Sequence, residues 1–80
     1  MLLDKTCKRI LLALDGSEKH VSALLKDVGG SALTLEQRLS FLVKNGFLKE
    51  NRMDKFPFKR VLSLSEKGKY ILNLMKEGKI

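Results

Sequence analysis

Apolar residues recur along this chain with two different periods. Three early segments and the last one repeat them every three or four residues, which predicts amphipathic helices. The predicted core faces are Cys7, Ile10, Leu11 and Leu14; Val21, Leu24, Leu25 and Val28; Leu35, Leu39, Leu42 and Val43; and Tyr70, Ile71, Leu74 and Met75. Between Gly46 and the last helix, "FLKENRM" and "FKRVLSL" have strand character, and "MDKFPF" suits a loop. The order helix-helix-helix-strand-loop-strand-helix predicts a mainly α fold with a small antiparallel β-hairpin (α+β).

Polar residues and glycines mark where these elements begin and end. Asp4 is the predicted N-cap of the first helix, and Gly16 follows its end. Ser31 is the predicted N-cap of the third helix, although Thr34 offers a start one turn later. Ser65, or Ser63, caps the last helix. "SEKHV", between the first two helices, is too short to assign, although it could add a brief extended segment.

The length and composition predict one small, basic domain spanning residues 1–80. Sixteen Lys and Arg against nine Asp and Glu give a net charge of +7 and a pI near 9.8. Such a charge favours polyanionic partners, either nucleic acid or an anionic membrane surface, and it also keeps small proteins soluble. The sequence contains no apolar run long enough for a membrane span and no signal peptide, so a cytoplasmic protein is expected.

Few residues are suited to catalysis or to metal binding. Cys7 is the only cysteine, which is too few for an internal disulfide or a zinc site. It is expected to be a small buried hydrophobic residue, with a reactive thiol or an intermolecular disulfide as the alternative. His20 has no nucleophile or metal ligand at a useful spacing, and "VGGSAL" lacks the lysine of a phosphate-binding loop. We therefore expect no enzyme activity, no catalytic residue, no metal and no cofactor.

Two linked segments resemble a known family. "TLEQRLSFLVKNGFLKE" is similar to the recognition-helix segment of winged helix-turn-helix regulators of the broad MarR/ArsR class, and "LSLSEKGKYIL" is similar to the segment that leads from their wing into the last helix. The resemblance covers roughly residues 6–76. It implies a helix-turn-helix followed by a β-wing, and binding of double-stranded DNA. The cysteine and histidine cluster of metal-sensing ArsR proteins is absent from the sequence.

The third helix, residues 31–45, is the predicted major-groove reader. Its leucine face would be held by the other helices, which leaves the opposite face free for base edges. A helical wheel places Thr34, Gln37, Phe41 and Lys44 on that face, with Arg38 and Ser40 on its flanks and Ser31 at its start. Phe41 could meet a thymine methyl group, pack on the wing, or indicate that the helix is rotated. The alternative is a helix face that is only solvated.

The predicted wing, residues 49–60, would contact the DNA backbone or the minor groove. Six basic and two acidic residues between Lys44 and Arg60 give this region a net charge of +4. Arg52 and Lys55, near the tip, are the first candidate contacts, followed by Lys59 and Arg60. Charged residues at a hairpin tip also protect its edges from aggregation, which is the alternative role.

The combined expectation is a sequence-specific DNA-binding regulator of transcription, nucleoid-associated if the source is prokaryotic. The alternatives are a winged-helix adaptor that binds proteins, and a non-specific architectural or RNA-binding protein. Excess apolar residues predict a homodimer through the terminal helices, unless they complete the monomer core. These residues are Leu2, Leu3, Tyr70, Ile71, Leu72, Leu74, Met75 and Ile80.

Overall fold

Four helices and a small sheet form the structure, a computed structural model that describes residues 3–52 and 60–80. The helices are α1 (Lys5–Ala13), α2 (Val21–Val28), α3 (Ala32–Lys44) and α4 (Glu66–Lys76). The strands are β1 (Lys19–His20), β2 (Leu48–Arg52) and β3 (Arg60–Leu64). The predicted order of four helices and a hairpin is confirmed. No helix within the described residues is long and apolar enough to cross a membrane.

The sheet has one strand more than the predicted hairpin. β2 and β3 pair antiparallel from Leu48 opposite Leu64 to Arg52 opposite Arg60. β1 pairs with the other edge of β3 and gives the strand order β1-β3-β2. β1 lies in the segment between the first two helices that the sequence does not assign. Its two residues are too few to show the alternation that identifies a strand.

Side-chain caps set the starts of three helices as predicted. The Asp4 carboxylate accepts a hydrogen bond from the Cys7 amide at 2.8 Å, and the Ser31 hydroxyl accepts one from the Thr34 amide at 3.1 Å. The Ser65 hydroxyl accepts from the Gly68 amide at 3.0 Å. Each cap satisfies a backbone N–H that the first turn of a helix leaves unpaired. Ser31 and Ser65, rather than Thr34 and Ser63, are therefore the caps.

The core lies between the three N-terminal helices and the inner face of the sheet. Its buried side chains are mostly the predicted leucines, joined by Phe47, Leu48 and Leu62. Leu25, Val43, Ile71 and Met75 pack against this core from partly exposed positions. Cys7 is also buried in the core, as predicted.

The turn between α2 and α3 consists of two glycines with positive φ. Gly29 and Gly30 have φ of 79° and 80°, a backbone conformation that side chains with a Cβ rarely adopt. Ser31 follows in an extended conformation and caps α3 directly. This short connection fixes the direction of α3 relative to α2.

The start of α4 packs closely on the chain between α3 and β2. The Phe47 carbonyl accepts a hydrogen bond from the Ser65 amide at 3.1 Å, and the Gly46 carbonyl accepts one from the Ser65 hydroxyl at 2.5 Å. Lys67 donates to the Asn45 carbonyl at 2.9 Å and lies 4.7 Å from the centre of the Phe47 ring. These contacts connect the end of α3, the base of the hairpin and α4.

Candidate nucleic-acid interface

The third helix is held from behind by its leucine face. Leu35, Leu39 and Leu42 are fully buried, and α3 packs against both α1 and β2. A helix anchored in this way presents a constant face to solvent, which is the condition for entering a major groove about 12 Å wide.

The face opposite the buried leucines is a stripe of four exposed residues. Leu33, Gln37, Ser40 and Lys44 recur at four-, three- and four-residue intervals, so they lie along one side of α3. We call these four residues the outward stripe. Leu33 is 70% exposed, more than any other large hydrophobic side chain in the described part of the chain. An amide, a hydroxyl, an ammonium group and an apolar side chain together suit the mixed edges of base pairs.

Phe41 and Arg38 lie on the flank of α3 that faces α1. Phe41 is partly buried and packs against the core, and Arg38 Nε donates to Asp4 Oδ2 at 2.6 Å. A hollow of about 360 Å³ lies between these side chains and the start of α1, lined also by Gln37 and Cys7. The predicted placement of Phe41 opposite the core is therefore wrong. Of the three interpretations of Phe41, the structure favours a helix rotated from the predicted orientation.

Ser31 and Thr34 are hydrogen-bonded to each other at the start of α3. The Ser31 hydroxyl donates to Thr34 Oγ1 at 2.9 Å and also accepts from the Thr34 amide. Ser31 is exposed, whereas Thr34 is partly buried on the flank beside Phe41. The first role of Ser31 is to cap the helix, and any contact with a ligand is added to that role.

Arg60 points inward from the start of β3. Residues 60, 62 and 64 lie on one face of the strand, and Leu62 and Leu64 of that face are buried. Arg60 Nη1 donates to both carboxylate oxygens of Glu36, at 2.8 and 2.6 Å, and Nη2 donates to Glu50 Oε2 at 2.9 Å. Its side chain is 26% exposed. We call the set Glu36, Arg60 and Glu50 the carboxylate bridge.

The carboxylate bridge shifts the pKa values of two of its members. Hydrogen bonds from Arg60 and then from Arg52 hold the pKa of the Glu50 carboxyl below its usual range. Glu50 and then Glu36 raise the pKa of Arg60 above its ordinary value. Glu50 and Arg60 are therefore both charged at neutral pH, and the carboxyl groups of Glu36 and Glu50 occupy the guanidinium of Arg60. This placement argues against the predicted direct contact of Arg60 with DNA.

The other basic residues predicted for the wing fall into two groups. Arg52 is 69% exposed at the end of β2, where its Nε donates to Glu50 Oε1 at 2.6 Å. Lys49 is exposed on the outer face of the same strand. Lys55 and Lys59, with Phe56, Pro57 and Phe58, lie outside the described residues.

Sequence reasoning missed Leu33 and Glu36 on this surface and placed Arg60 among the free charges. Leu33 was not placed on the outward face, although it lies four residues before Gln37. Arg60 was counted as a free charge, although the two-residue period of "RVLSL" aligns it with the buried Leu62 and Leu64. Glu36, its partner on α3, is not identified from the sequence, because its contact with Arg60 spans 24 residues of the chain.

The chemistry of the described residues offers neither a metal centre nor an activated thiol. They contain no group of three or more His, Cys, Asp or Glu side chains that could hold a metal ion. Burial, together with the nearby Asp4 carboxylate, raises the pKa of the Cys7 thiol to about 11. Cys7 is therefore a protonated core residue at neutral pH.

Comparisons with known proteins support this architecture. No protein-family model matches the chain, and no curated protein matches its sequence. Among solved structures, a protein assigned to the MarR family of transcriptional regulators from Porphyromonas gingivalis W83 has a TM-score of 0.87 at 23% identity, over 92% of this chain and 74% of the other. The protein ytfH from Salmonella typhimurium, assigned as a transcriptional regulator, has a TM-score of 0.82 at 28% identity, over 88% of this chain and 63% of the other.

A third similar structure contains a nucleic acid. It is Bacillus subtilis PadR in complex with operator DNA, with a TM-score of 0.80 at 16% identity, over 90% of this chain and 46% of the other. Each of the three proteins is longer than the part that the chain matches. The likenesses confirm the predicted winged helix-turn-helix fold, in which α2 and α3 form the helix-turn-helix and β2 and β3 the wing.

Proposed function

From the winged helix-turn-helix fold that the chain shares with MarR-family regulators, we propose that it binds double-stranded DNA and regulates transcription by occupying an operator. The observation that carries the proposal is the outward stripe. Leu33, Gln37, Ser40 and Lys44 are exposed along one side of a helix whose other side is fixed in the core. A positioned helix with varied polar and apolar groups is what direct reading of base edges requires.

Each member of the outward stripe suits a different part of the major groove. Gln37 can pair with an adenine through its amide oxygen and nitrogen, and Leu33 can pack on the methyl group of a thymine. Ser40 can bond to a base or a phosphate, and Lys44, at the end of α3, is placed to meet the phosphate backbone. Arg38 remains a candidate contact on the flank, although its pairing with Asp4 must be shared or broken first.

The wing supplies cationic contacts beside the recognition helix. Arg52 is exposed at the end of β2, and Lys55 and Lys59 follow in the segment outside the described residues. Such side chains neutralise phosphates and release bound cations, which strengthens binding to any sequence and makes it depend on salt. The net charge of +7 supports the same partner.

The proposed assembly is a homodimer through the terminal helices. Tyr70 and Ile80 are exposed near the end of the chain, and Leu12 is half-exposed on α1. A two-fold dimer would present two copies of α3 to half-sites about one DNA turn apart.

The solved structure of PadR with its operator supports DNA as the partner by likeness of fold.

A salt-dependent binding titration tests the proposal. We would titrate the protein into labelled random-sequence duplex DNA and into duplexes from its own upstream region. Tighter binding to the upstream DNA by about 10³-fold or more, with a steep dependence on salt, is expected for a specific regulator. Equal, salt-sensitive binding to both would indicate an architectural role, or an operator outside the upstream region. No binding to either at low salt would contradict the proposal and favour a protein adaptor.

A further inference from the structure

We infer that Arg60 is a positioning residue that fixes the wing relative to the recognition helix through the carboxylate bridge, rather than a phosphate contact. This inference deepens the proposed function. Only its expected effect on DNA affinity rests on that function. Its premise is geometric, because one guanidinium joins three separate elements. Glu36 belongs to α3, Arg60 to β3 and Glu50 to β2.

The bridge lies where the apolar core ends. The inner face of the hairpin begins with the pair Leu48 and Leu64, continues with Glu50 opposite Leu62, and ends with Arg52 opposite Arg60. The first of these pairs is held to the core by leucine packing. Farther out, the contact between the hairpin and α3 is ionic, so the outer ends of β2 and β3, at Arg52 and Arg60, take their orientation relative to α3 from this contact.

The geometry of the bridge is directional. Arg60 engages Glu36 with one nitrogen shared between two oxygens, and it engages Glu50 with its other terminal nitrogen. A planar guanidinium that binds two carboxylates fixes both their distance and their angle, which a flexible ammonium group cannot do. The Glu50 side chain is only 16% exposed, so this contact is partly shielded from salt. Arg60 Nε is also buried and has no hydrogen-bond partner among the described residues, so only the two terminal nitrogens of Arg60 make the bridge.

The two possible roles of Glu36 predict opposite effects of Glu36→Ala on the affinity for DNA. If Glu36 were only an acidic residue close to DNA, Glu36→Ala would add one unit of net charge and tighten binding. If Glu36 holds Arg60 and the wing, the same substitution weakens binding despite the more favourable charge. Glu77→Ala is the matched control, since it adds the same charge at the C-cap of α4, away from the bridge.

The test measures the affinity of the full chain for random-sequence duplex DNA at several salt concentrations. The slope of the logarithm of the binding constant against the logarithm of the salt concentration is the salt slope. We expect Glu36→Ala to weaken binding about tenfold with an unchanged salt slope, and Glu77→Ala to leave binding equal or slightly tighter. Arg60→Met should also keep the parent's slope, whereas Arg52→Ala, which removes a proposed phosphate contact, should make the slope shallower by about one. The double variant Glu36→Ala/Arg60→Met should bind no more weakly than the weaker single variant, because each single change already removes the bridge.

Amide hydrogen exchange of the free protein separates this inference from the proposed function. In Glu36→Ala we expect faster exchange at the ends of β2 and β3 near Arg52 and Arg60, with unchanged exchange in α1 and α2. This result would support the bridge even if the parent protein bound no DNA. Unchanged exchange at the strand ends, tighter DNA binding by Glu36→Ala, or a shallower salt slope in Arg60→Met would each overturn the inference.

Discussion

At the scale of single residues, Gly68 shows how closely the winged fold is packed behind the interface. A Cβ at this position would lie 2.0 Å from the Phe47 carbonyl oxygen and 3.3 Å from Leu64 Cδ2. The carbonyl is backbone and is itself bonded to the Ser65 amide, so it cannot move aside without breaking that contact. Gly68 is therefore required by close approach of the backbone and not by its φ angle.

We predict that Gly68→Ala lowers the free energy of unfolding by about 3 kcal/mol, because the added methyl group forces α4 away from Phe47. Urea denaturation of the parent and the variant would measure the change. Asn73→Ala, an exposed change on the same helix, should stay within about 0.5 kcal/mol of the parent. Equal stability of Gly68→Ala and the parent would mean that α4 does not pack as described.

The outward stripe leads to a second prediction at this scale. Gln37 is exposed on the face opposite the buried leucines, and its amide can bond to two atoms of one adenine. Gln37→Ala should therefore lower discrimination between the preferred duplex and a random duplex by about 1–3 kcal/mol. Competition binding with both duplexes would measure it, with Asn73→Ala as an amide truncation outside the interface. Unchanged site preference would exclude Gln37 as a reader of bases.

At the scale of elements, the wing depends on charges that titrate in acid. The pKa of Glu50 is lowered in the folded state, first by Arg60 and then by Arg52. A lowered pKa means that the ionised carboxylate stabilises the fold. This stability is fully present above the ordinary glutamate pKa of 4.5 and is lost as the pH falls through the lower pKa of the folded state.

We therefore predict that Glu50→Gln lowers the melting temperature at pH 7 and that the difference from the parent shrinks as the pH falls below about 4.5. Thermal melts of the two proteins across this pH range would test it. Glu77→Gln, at the exposed end of α4, serves as the control and should show a smaller difference at pH 7. A difference between Glu50→Gln and the parent that is independent of pH would mean that Glu50 acts through packing and not through its charge.

The elements also show what the sequence could predict. The N-caps and the spacing of apolar residues predict the helices, because both signals are local. Asp4, Ser31 and Ser65 each bond to a backbone amide three residues away. The sequence does not predict β1, because its two residues become a strand only by pairing with β3. The role of Arg60 cannot be predicted from local sequence, because it depends on which residue of α3 lies opposite. That residue, Glu36, is 24 positions away along the chain.

At the scale of the whole molecule, the predicted excess of apolar residues turns out to be small. Leu72 is buried, and Leu3, Ile71 and Met75 pack against the core from partly exposed positions. Much of the surface assigned to a dimer from sequence therefore completes the monomer. Tyr70 at 63% exposure, Leu12 at 50% and Ile80 at 47% remain available. The prediction of a dimer accordingly rests on fewer residues than the sequence suggested, and each of them can be tested.

We predict that Tyr70→Glu shifts the chain from dimer to monomer, because an ionised carboxylate would have to be buried without a partner in the interface. Sedimentation equilibrium over a range of protein concentrations would measure the change. Leu33→Glu is the matched control, since Leu33 at 70% exposure is another large exposed hydrophobic residue but lies on the outward stripe of α3. It should leave the dimer intact and weaken DNA binding by placing a negative charge against the DNA. Dissociation by Leu33→Glu but not by Tyr70→Glu would instead place the recognition helix in the interface between copies, which would contradict both the proposed dimer and the free reading face.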